Sequence, residues 1–156
     1  MGGSNSSGDV CNMEPVKSLN HIGIAVESIE SQRDYYEQVL GARFEGFEEI
    51  ASQQLRVGFF RVGDIRVELM ERLNSEGPIA KFLQQRGPGL HHVAYTVDDI
   101  QARIDELKAS GITMIDETPR PGAHGTKIAF MHPKSTFGVL TEICEPQAAN
   151  DNQSTE

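Results

Sequence analysis

The chain has 156 residues, of which 38% are hydrophobic and 24% are charged, and its formal net charge is −9. This length suits one globular domain and is too short for two independent cores. The negative charge, without a stripe of Lys and Arg interleaved with aromatic residues, argues against nucleic acid as a partner. No apolar stretch approaches the length of a membrane span, so no membrane association is expected.

Two cysteines, Cys11 and Cys144, form neither a CxxC motif nor a disulfide framework, which favours a reducing compartment. The amino terminus also lacks the hydrophobic core of a signal peptide. We therefore expect a cytoplasmic protein, or a protein of the mitochondrial matrix if the source is eukaryotic. Residues 1–17 are predicted to be a disordered leader or tag, and residues 147–156 a disordered tail, because both are poor in apolar side chains.

Between these ends the chain nearly repeats itself. Residues Leu19–Ile29 and Leu90–Ile100 align at a constant offset, with identical Leu, His, Val and final Ile residues. Such a repeat predicts two copies of one structural unit. We place module one at about residues 18–73 and module two at about residues 89–146, within a single domain over residues 18–146.

Module one is predicted to begin with a strand, because apolar and small residues alternate there. Ser28 is a suitable helix N-cap, and the helix that follows is predicted to pass through Leu40 and to be closed by Gly41. Strand-like runs follow the helix. The predicted strands of module one are 21–26, 55–60 and 65–70, with a Gly63–Asp64 hairpin signal between the last two.

A short helix that begins at Pro78 and ends at Arg86 is predicted to bridge the two modules. Module two then repeats the order of module one: Asp99 caps a helix with apolar residues at helical spacing, and Gly111 ends it. Each module is therefore predicted to be βαβββ, and the fold class α+β. The predicted strands of module two are 92–97, 127–131 and 138–143.

The repeat places a histidine in both first strands and a glutamate in both last strands. In the first strand of module one, His21 shares its face with Gly23 and Ala25, while the bulkier residues occupy the opposite face. A carboxylate within an apolar strand is costly unless it is paired or binds a metal. One such residue alone would be an ordinary half-buried histidine or a solvated glutamate, but the recurrence of both favours a four-ligand N₂O₂ site. Its predicted ligands are His21, Glu68, His92 and Glu142, which suit Zn, Co, Ni or Mn.

The remaining polar candidates are less suited to this site. His91 is predicted to point to the face opposite His92, so that one strand would not offer both to one ion. His124 and His132 are predicted to be ordinary loop histidines that could border a substrate. The acidic run Glu45–Glu49 is predicted to be solvated surface, with a hidden catalytic base as the alternative.

These residues resemble the vicinal-oxygen-chelate superfamily of glyoxalases and bleomycin-resistance proteins, and within it the methylmalonyl-CoA epimerases. The resemblance implies a glyoxalase-like fold, a curved mixed sheet of two tandem βαβββ modules around one divalent metal ion per chain. It assigns the four ligands to the same histidines and glutamates that the repeat selects, and it implies a homodimer. The matching segments are 19–26, 67–70, 75–83, 89–94 and 131–142.

The resemblance implies an isomerase that interconverts the (R) and (S) forms of methylmalonyl-CoA by proton transfer through a metal-stabilised enolate. It assigns Glu142 a catalytic acid/base role in addition to metal binding. Some family members carry a second glutamate in the first strand after the first helix, but the corresponding run here, Leu55–Phe60, has none, so the second acid/base is unassigned. Substrate-binding residues are also unassigned. Candidates for the CoA phosphates are Arg56, Arg61, Arg66, Lys127 and Lys134, with exposed surface as the alternative.

Two other functions are compatible with the same predicted fold. A glyoxalase I-type lactoylglutathione lyase uses a similar ligand set, but the epimerase-like segments are absent from those enzymes. A non-catalytic protein that binds a small molecule would lack the four metal ligands. Fold alone does not decide between these functions.

Overall fold

The computed structural model describes residues 13–148, which fold around a single eight-stranded mixed sheet. Most of the predicted leader 1–17 and most of the predicted tail 147–156 lie outside the described residues. None of the helices within residues 13–148 is long and apolar enough to cross a membrane. The strands are β1 (Ser18–Val26), β2 (Arg43–Ile50), β3 (Leu55–Val62), β4 (Ile65–Arg72), β5 (Gly89–Thr96), β6 (Arg120–Pro121), β7 (Lys127–Met131) and β8 (Thr141–Glu145), and the α-helices are α1 (Ile29–Asp34), α2 (Pro78–Arg86) and α3 (Ile100–Ala109).

The strand order β2-β3-β4-β1-β5-β8-β7-β6 shows the internal repeat directly. Each module places its last strand parallel to its first, as β4 beside β1 and β8 beside β5. The two modules meet where β1 pairs antiparallel with β5, and we call this junction the seam. The predicted α+β class with two βαβββ modules in one curved mixed sheet is confirmed.

The side chains of the central strands lie on the faces that period-two alternation predicts. The bulky side chains of β1 pack with Ile29 of α1 and with Leu69 of β4 in one hydrophobic cluster beneath the helix. The equivalent cluster beneath α3 contains Ile104 and Ile143. The opposite, concave face of the sheet is therefore left for the polar residues that both modules contribute.

Each of the two module helices begins as predicted, and a glutamate from the end of the neighbouring strand supports its first turn. The side chain of Ser28 accepts a hydrogen bond from the Ser31 amide, and Asp99 caps α3 in the same way. In addition, the Ile29 amide donates to Glu71 Oε2 at 2.8 Å. The equivalent interaction in module two joins the Ile100 amide to Glu145 Oε1 at 3.2 Å. These carboxylates satisfy amides that a helix start leaves unpaired.

Several predicted strand bounds were wrong. The first strand after α1 is β2, not the run Leu55–Phe60, which lies in the second strand, β3. Because β2 contains Glu45, Glu48 and Glu49, the prediction that this strand has no glutamate was wrong. The prediction missed β2 because a half-buried edge strand tolerates glutamates on both faces and so lacks an apolar alternation.

The helical segment of module one ends as predicted, with a π-helical turn to Val39, Leu40 as its C-cap and Gly41 at a positive φ of 68°. The strand β8 begins at Thr141 and not at residue 138, and Gly138 lies in the preceding turn with a φ of 86°.

Candidate metal centre and pocket

The four predicted ligands converge on the concave face at the seam. His21 Nδ1 lies 3.0 Å from Glu68 Oε2, and His21 Nε2 lies 3.2 Å from Glu142 Oε2. The two histidines face each other with 3.1 Å between their Nε2 atoms, and His92 Nε2 lies 3.8 Å from Glu142 Oε1. All four side chains are buried, with residue exposures between 3% and 7%. The structure therefore brings together one imidazole and one carboxylate from each module.

Strand register explains this convergence. Gly23 of β1 is paired with Glu68 on one side and with His92 on the other. A Cβ built at residue 23 would overlap the His92 ring, with Nε2 only 2.9 Å away. The small neighbours of His21 on its strand face therefore leave room, at Gly23, for the imidazole of the other module.

Burial and close charges shift the proton affinities of these groups. Burial raises the pKa of Glu68 to about 7, although the charges of His21 and Arg66 oppose the increase. Burial, followed by the charges of His21 and His91, holds the pKa of His92 well below its usual range. Burial lowers the pKa of His21, but its contacts with Glu142 and Glu68 outweigh that effect and leave it raised. The lowered pKa favours a neutral His92 imidazole, in which one ring nitrogen is unprotonated.

The donor set fits a divalent cation. Glu142 Oε2 is buried and has no hydrogen-bond partner among the described residues, because its approach to His21 lacks hydrogen-bond alignment. Its nearest polar contact is His21 Nε2 at 3.2 Å, and a buried carboxylate oxygen without an aligned hydrogen bond is stabilised by a bound cation. Two imidazole nitrogens and two carboxylates match the ligand preferences of borderline divalent metals.

The orientation of His91 differs from the sequence-based expectation. His91 was predicted to point away from His92, but the pairing of β1 with β5 shifts between Gly23 and Ile24, so His91 occupies a bulge and has no partner in β1. Its Nδ1 atom lies 2.9 Å from His92 Nδ1. The bulge turns His91 toward the same side as its neighbour, which a single-strand alternation does not anticipate.

Cys144 was missed by the sequence-based prediction. Its Sγ, with ligand atoms of His21 and Glu142, belongs to a buried cluster in which all atoms lie within 4.8 Å of one another. Burial, followed by the charges of Glu142 and Glu68, raises the pKa of this thiol to about 12. The spacing of two residues from Glu142 in a strand could have identified Cys144 as a wall residue of the site.

The site forms the floor of a pocket of about 260 Å³ between the modules. Its lining contains two carboxylates, Glu68 and Glu142, and two arginines, Arg66 and Arg120. The remaining walls are mostly apolar, which suits a small acyl group and excludes water from the polar floor. The apolar wall residues include Ile50, Leu55, Val57, Met70, Ile128 and Phe130.

The two predicted loop histidines occupy different positions. His124 reaches from module two to module one, where its ring stacks on Phe59 at 4.1 Å between centroids and its Nδ1 lies 3.1 Å from Arg66 Nη1. Its backbone amide donates to Glu48 Oε2 at 3.0 Å. His132 is exposed and accepts a hydrogen bond from the Lys134 amide, so it serves the turn before β8.

Most of the cations proposed for the CoA phosphates already have partners. Arg61 and Arg66 both contact Glu45, at 3.3 and 3.2 Å. Lys127 lies 3.6 Å from a Glu145 oxygen. The Arg56 guanidinium lies over the Phe47 ring at 3.8 Å. Within residues 13–148, Lys134 alone among the five has neither a carboxylate nor an aromatic partner.

Comparison with known proteins identifies the family. The sequence matches the model of the Glyoxalase/Bleomycin resistance protein/Dioxygenase superfamily over residues 20–130. It is 42% identical over 135 residues to an uncharacterized protein of Bacillus subtilis, covering 86% of this chain and 96% of that protein. It is 36% identical over 126 residues to the mitochondrial methylmalonyl-CoA epimerase of Mus musculus, covering 80% of this chain and 71% of the mouse protein.

A solved structure supports the same relationship. The crystal structure of methylmalonyl-CoA epimerase from Mycobacterium tuberculosis matches this fold with a TM-score of 0.82 at 34% sequence identity, over 87% of this chain and 94% of that one. The two structures share the sheet of paired βαβββ modules. The fold similarity and the sequence match both extend over nearly all of the described residues. The chain therefore belongs to the Glyoxalase/Bleomycin resistance protein/Dioxygenase superfamily, in which its relatives include methylmalonyl-CoA epimerases.

Proposed function

We propose that this chain is a metal-dependent epimerase that interconverts the (R) and (S) forms of methylmalonyl-CoA. The observation that carries the proposal is the buried group of two imidazoles and two carboxylates at the floor of a pocket between the modules. Relatives with epimerase names supply the substrate, an acyl-CoA, and the resemblance implies a homodimer. We further propose that His21, Glu68, His92 and Glu142 hold one divalent ion, for which Co, Zn, Ni and Mn are suitable. When bound, the ion would supply a Lewis acid for negative charge on the thioester oxygen.

The residues of the chain then perform the proton transfer. The substrate hydrogen lies on the carbon between a carboxylate and a thioester, and its removal leaves an electron pair that spreads onto the thioester carbonyl. We assign proton uptake to the Glu142 carboxylate, since Glu142 lines the pocket and its Oε2 atom makes no aligned hydrogen bond among the described residues. Return of a proton to the opposite face of the carbon completes the inversion.

The surroundings of Glu142 favour this role. The apolar pocket walls limit competing water, which strengthens electrostatic interactions within the site. Arg66 and Arg120 line the pocket from opposite modules, and each is already paired with a carboxylate, Glu45 at 3.2 Å and Asp116 at 3.3 Å. The group that serves the second face is left unassigned, since Glu68 is the other carboxylate in the lining and is a proposed ligand.

Exchange of the substrate α-proton with deuterated water tests the proposal. The purified chain should catalyse incorporation of deuterium into methylmalonyl-CoA, a chelator should abolish it, and a divalent ion should restore it. If no exchange is seen with any of the divalent ions added, the epimerase assignment is contradicted. If exchange continues in the presence of chelator, the metal requirement is contradicted.

A glyoxalase I-type lyase is the second candidate, because the family that matches the sequence includes glyoxalases. The hemithioacetal adduct of methylglyoxal and glutathione should be assayed in parallel with methylmalonyl-CoA. Turnover of the adduct alone would favour the lyase. Stoichiometric metal in the purified protein would count against a non-catalytic binding protein, which would lack the four metal ligands.

A further inference from the structure

Two β-bulges lie within the seam, one in each of its strands. The pairing of β1 with β5 shifts between Leu19 and His21, so Asn20 has no partner residue in β5. The pairing shifts again after Gly23, where His91 has no partner residue in β1. Asn20 and His91 are equivalent positions of the repeat, and each directly precedes a proposed ligand histidine. Because a bulge re-aims a side chain, the duplication redirects the same position in both modules.

In module one the bulge places the Asn20 side chain against His21. Asn20 Oδ1 lies 2.8 Å from His21 Nδ1. The Asn20 amide nitrogen donates to Thr96 Oγ1 at 3.3 Å, which orients the amide with its oxygen toward the imidazole. A carbonyl oxygen only accepts hydrogen bonds, so the His21 ring carries a proton on Nδ1. Its other nitrogen, Nε2, is the atom that lies 3.2 Å from Glu142 Oε2.

Glu68 is a second acceptor for His21, with Oε2 3.0 Å from the same Nδ1 atom. Both acceptors favour the same position of the proton. Glu68 is also a proposed ligand, whereas Asn20 is not. Asn20 can therefore hold the Nδ1 proton while the Glu68 carboxylate binds the ion.

In module two the bulge places an imidazole in the equivalent role. His91 Nδ1 lies 2.9 Å from His92 Nδ1, and one of these two nitrogens must donate. His92 Nε2 lies 3.1 Å from His21 Nε2 and 3.8 Å from Glu142 Oε1, on the side where the proposed ligands meet. An imidazole that binds a metal through Nε2 keeps its proton on Nδ1, so His92 donates and His91 accepts. The Phe82 ring packs against His91 with 5.0 Å between centroids and supports its orientation.

We propose that Asn20 and His91 are positioning residues, which hold the Nδ1–H groups of His21 and His92 and so present both Nε2 atoms to one divalent ion. This assignment rests on the proposed function, which supplies the ion. Acceptors of this kind fix the tautomer and the ring orientation of a ligand histidine and raise its basicity. The two modules reach the same result with different side chains, an amide in one and an imidazole in the other.

Competition between the full-length protein and a zinc chelator measures the role of each acceptor without catalysis. Asn20→Ala and His91→Phe should each lower the affinity for zinc by about 10–100-fold, the usual loss when such an acceptor is removed. Asn20→Asp and His91→Asn each keep an acceptor oxygen near the same ring nitrogen and should recover most of the loss. Asn74→Ala and His132→Phe change the same residue types outside the lining of the pocket and should bind zinc as the wild type does. Wild-type affinity in Asn20→Ala or in His91→Phe would overturn the role of that residue.

Nitrogen NMR of the histidine side chains gives a readout that a purely structural role would not move. In the wild type, His21 and His92 should each carry a proton on Nδ1, before and after zinc is added. In the zinc-free protein, His91→Phe should shift the His92 proton to Nε2, whereas His91→Asn should leave it on Nδ1. A wild-type His92 ring without a proton on Nδ1 would overturn the role of His91.

Deuterium exchange into methylmalonyl-CoA separates this inference from the proposed function. If the zinc affinity falls and recovers as described but the wild type exchanges no α-proton, the positioning role stands and the epimerase assignment fails. If the wild type catalyses metal-dependent exchange while Asn20→Ala and His91→Phe bind zinc with wild-type affinity, the epimerase assignment stands and the positioning role fails.

Discussion

Gly23 lies directly beneath the imidazole of His92, across the seam that joins the two modules. Gly23→Ala should therefore displace His92 and weaken binding of a divalent ion by about tenfold or more, as disturbance of ligand orientation does in other metal sites. The cost in folding free energy should be about 1–3 kcal/mol, which is typical of an overpacked core. Metal titration and thermal unfolding measure the two effects.

Gly89→Ala is the matched control for Gly23→Ala. Gly89 also lies on β5 at the seam, but a Cβ there would meet no atom within 4 Å. This variant should bind metal as the wild type does. An equal loss of affinity in both variants would contradict the role of Gly23 in making room for His92.

Glu142→Gln should retain the pocket shape and lose the proton acceptor. We expect the rate of α-proton exchange to fall by about 10²–10⁴-fold, the usual contribution of a positioned acid/base. The metal content of the purified variant should be measured alongside, because loss of the ion would also lower the rate. Glu145→Gln, which alters a carboxylate on the helix side of the same strand, should leave the rate unchanged. A metal-loaded Glu142→Gln enzyme with wild-type exchange would contradict the assignment.

Glu71→Ala should reduce the free energy of unfolding by about 1 kcal/mol, because the variant removes the carboxylate that accepts from the first amide of α1. The site should be unaffected, since Glu71 faces the helix and not the pocket. Urea denaturation of the metal-free protein measures the change. Glu76→Ala, at an exposed loop glutamate, is the control, and an equal effect there would exclude a specific interaction with the helix.

Glu45 should make the stability of the protein depend on pH. Burial favours its neutral form, but its hydrogen bond with Arg43 and the charges of Arg61 and Arg66 outweigh this and lower its pKa below 4.5. A depressed carboxyl pKa stabilises the folded state above the unfolded-state value, and this stabilisation is lost as the pH falls through the folded-state value. The difference in unfolding free energy between wild type and Glu45→Gln should therefore disappear in acid. A difference that persists unchanged in acid would contradict the stabilisation of the Glu45 carboxylate by these arginines.

The sequence was sufficient to predict the faces of the central strands. A period of two assigns His21, Glu68 and Glu142 to one face, and the repeat adds His92, so the four side chains that meet in the structure could be named in advance. Capping residues at Ser28 and Asp99 were also predictable, because the interaction lies within one helical turn. These features depend on residues that are close in sequence.

The features that were missed depend on neighbours that are distant in sequence. The position of His91 depends on a shift in the pairing of β5 with β1, which the alternation within β5 does not contain. The helix contacts of Glu71 and Glu145 join residues more than 40 positions apart. The acidic strand β2 lacks a regular alternation because its pairing with β3 shifts between Phe44 and Phe47, and both rings pack against the same hydrophobic cluster.

The seam also makes the two halves of the chain mutually dependent for coordination. Each half contributes one nitrogen donor and one oxygen donor, so neither would form a chelating site in isolation. A chain cleaved between Arg72 and Pro78 would yield two fragments whose reassociation is strengthened by the ion, because a ligand that binds only the assembled state shifts the equilibrium toward assembly. The affinity of the two fragments for each other, measured at a series of metal concentrations, should therefore increase with the concentration of the ion.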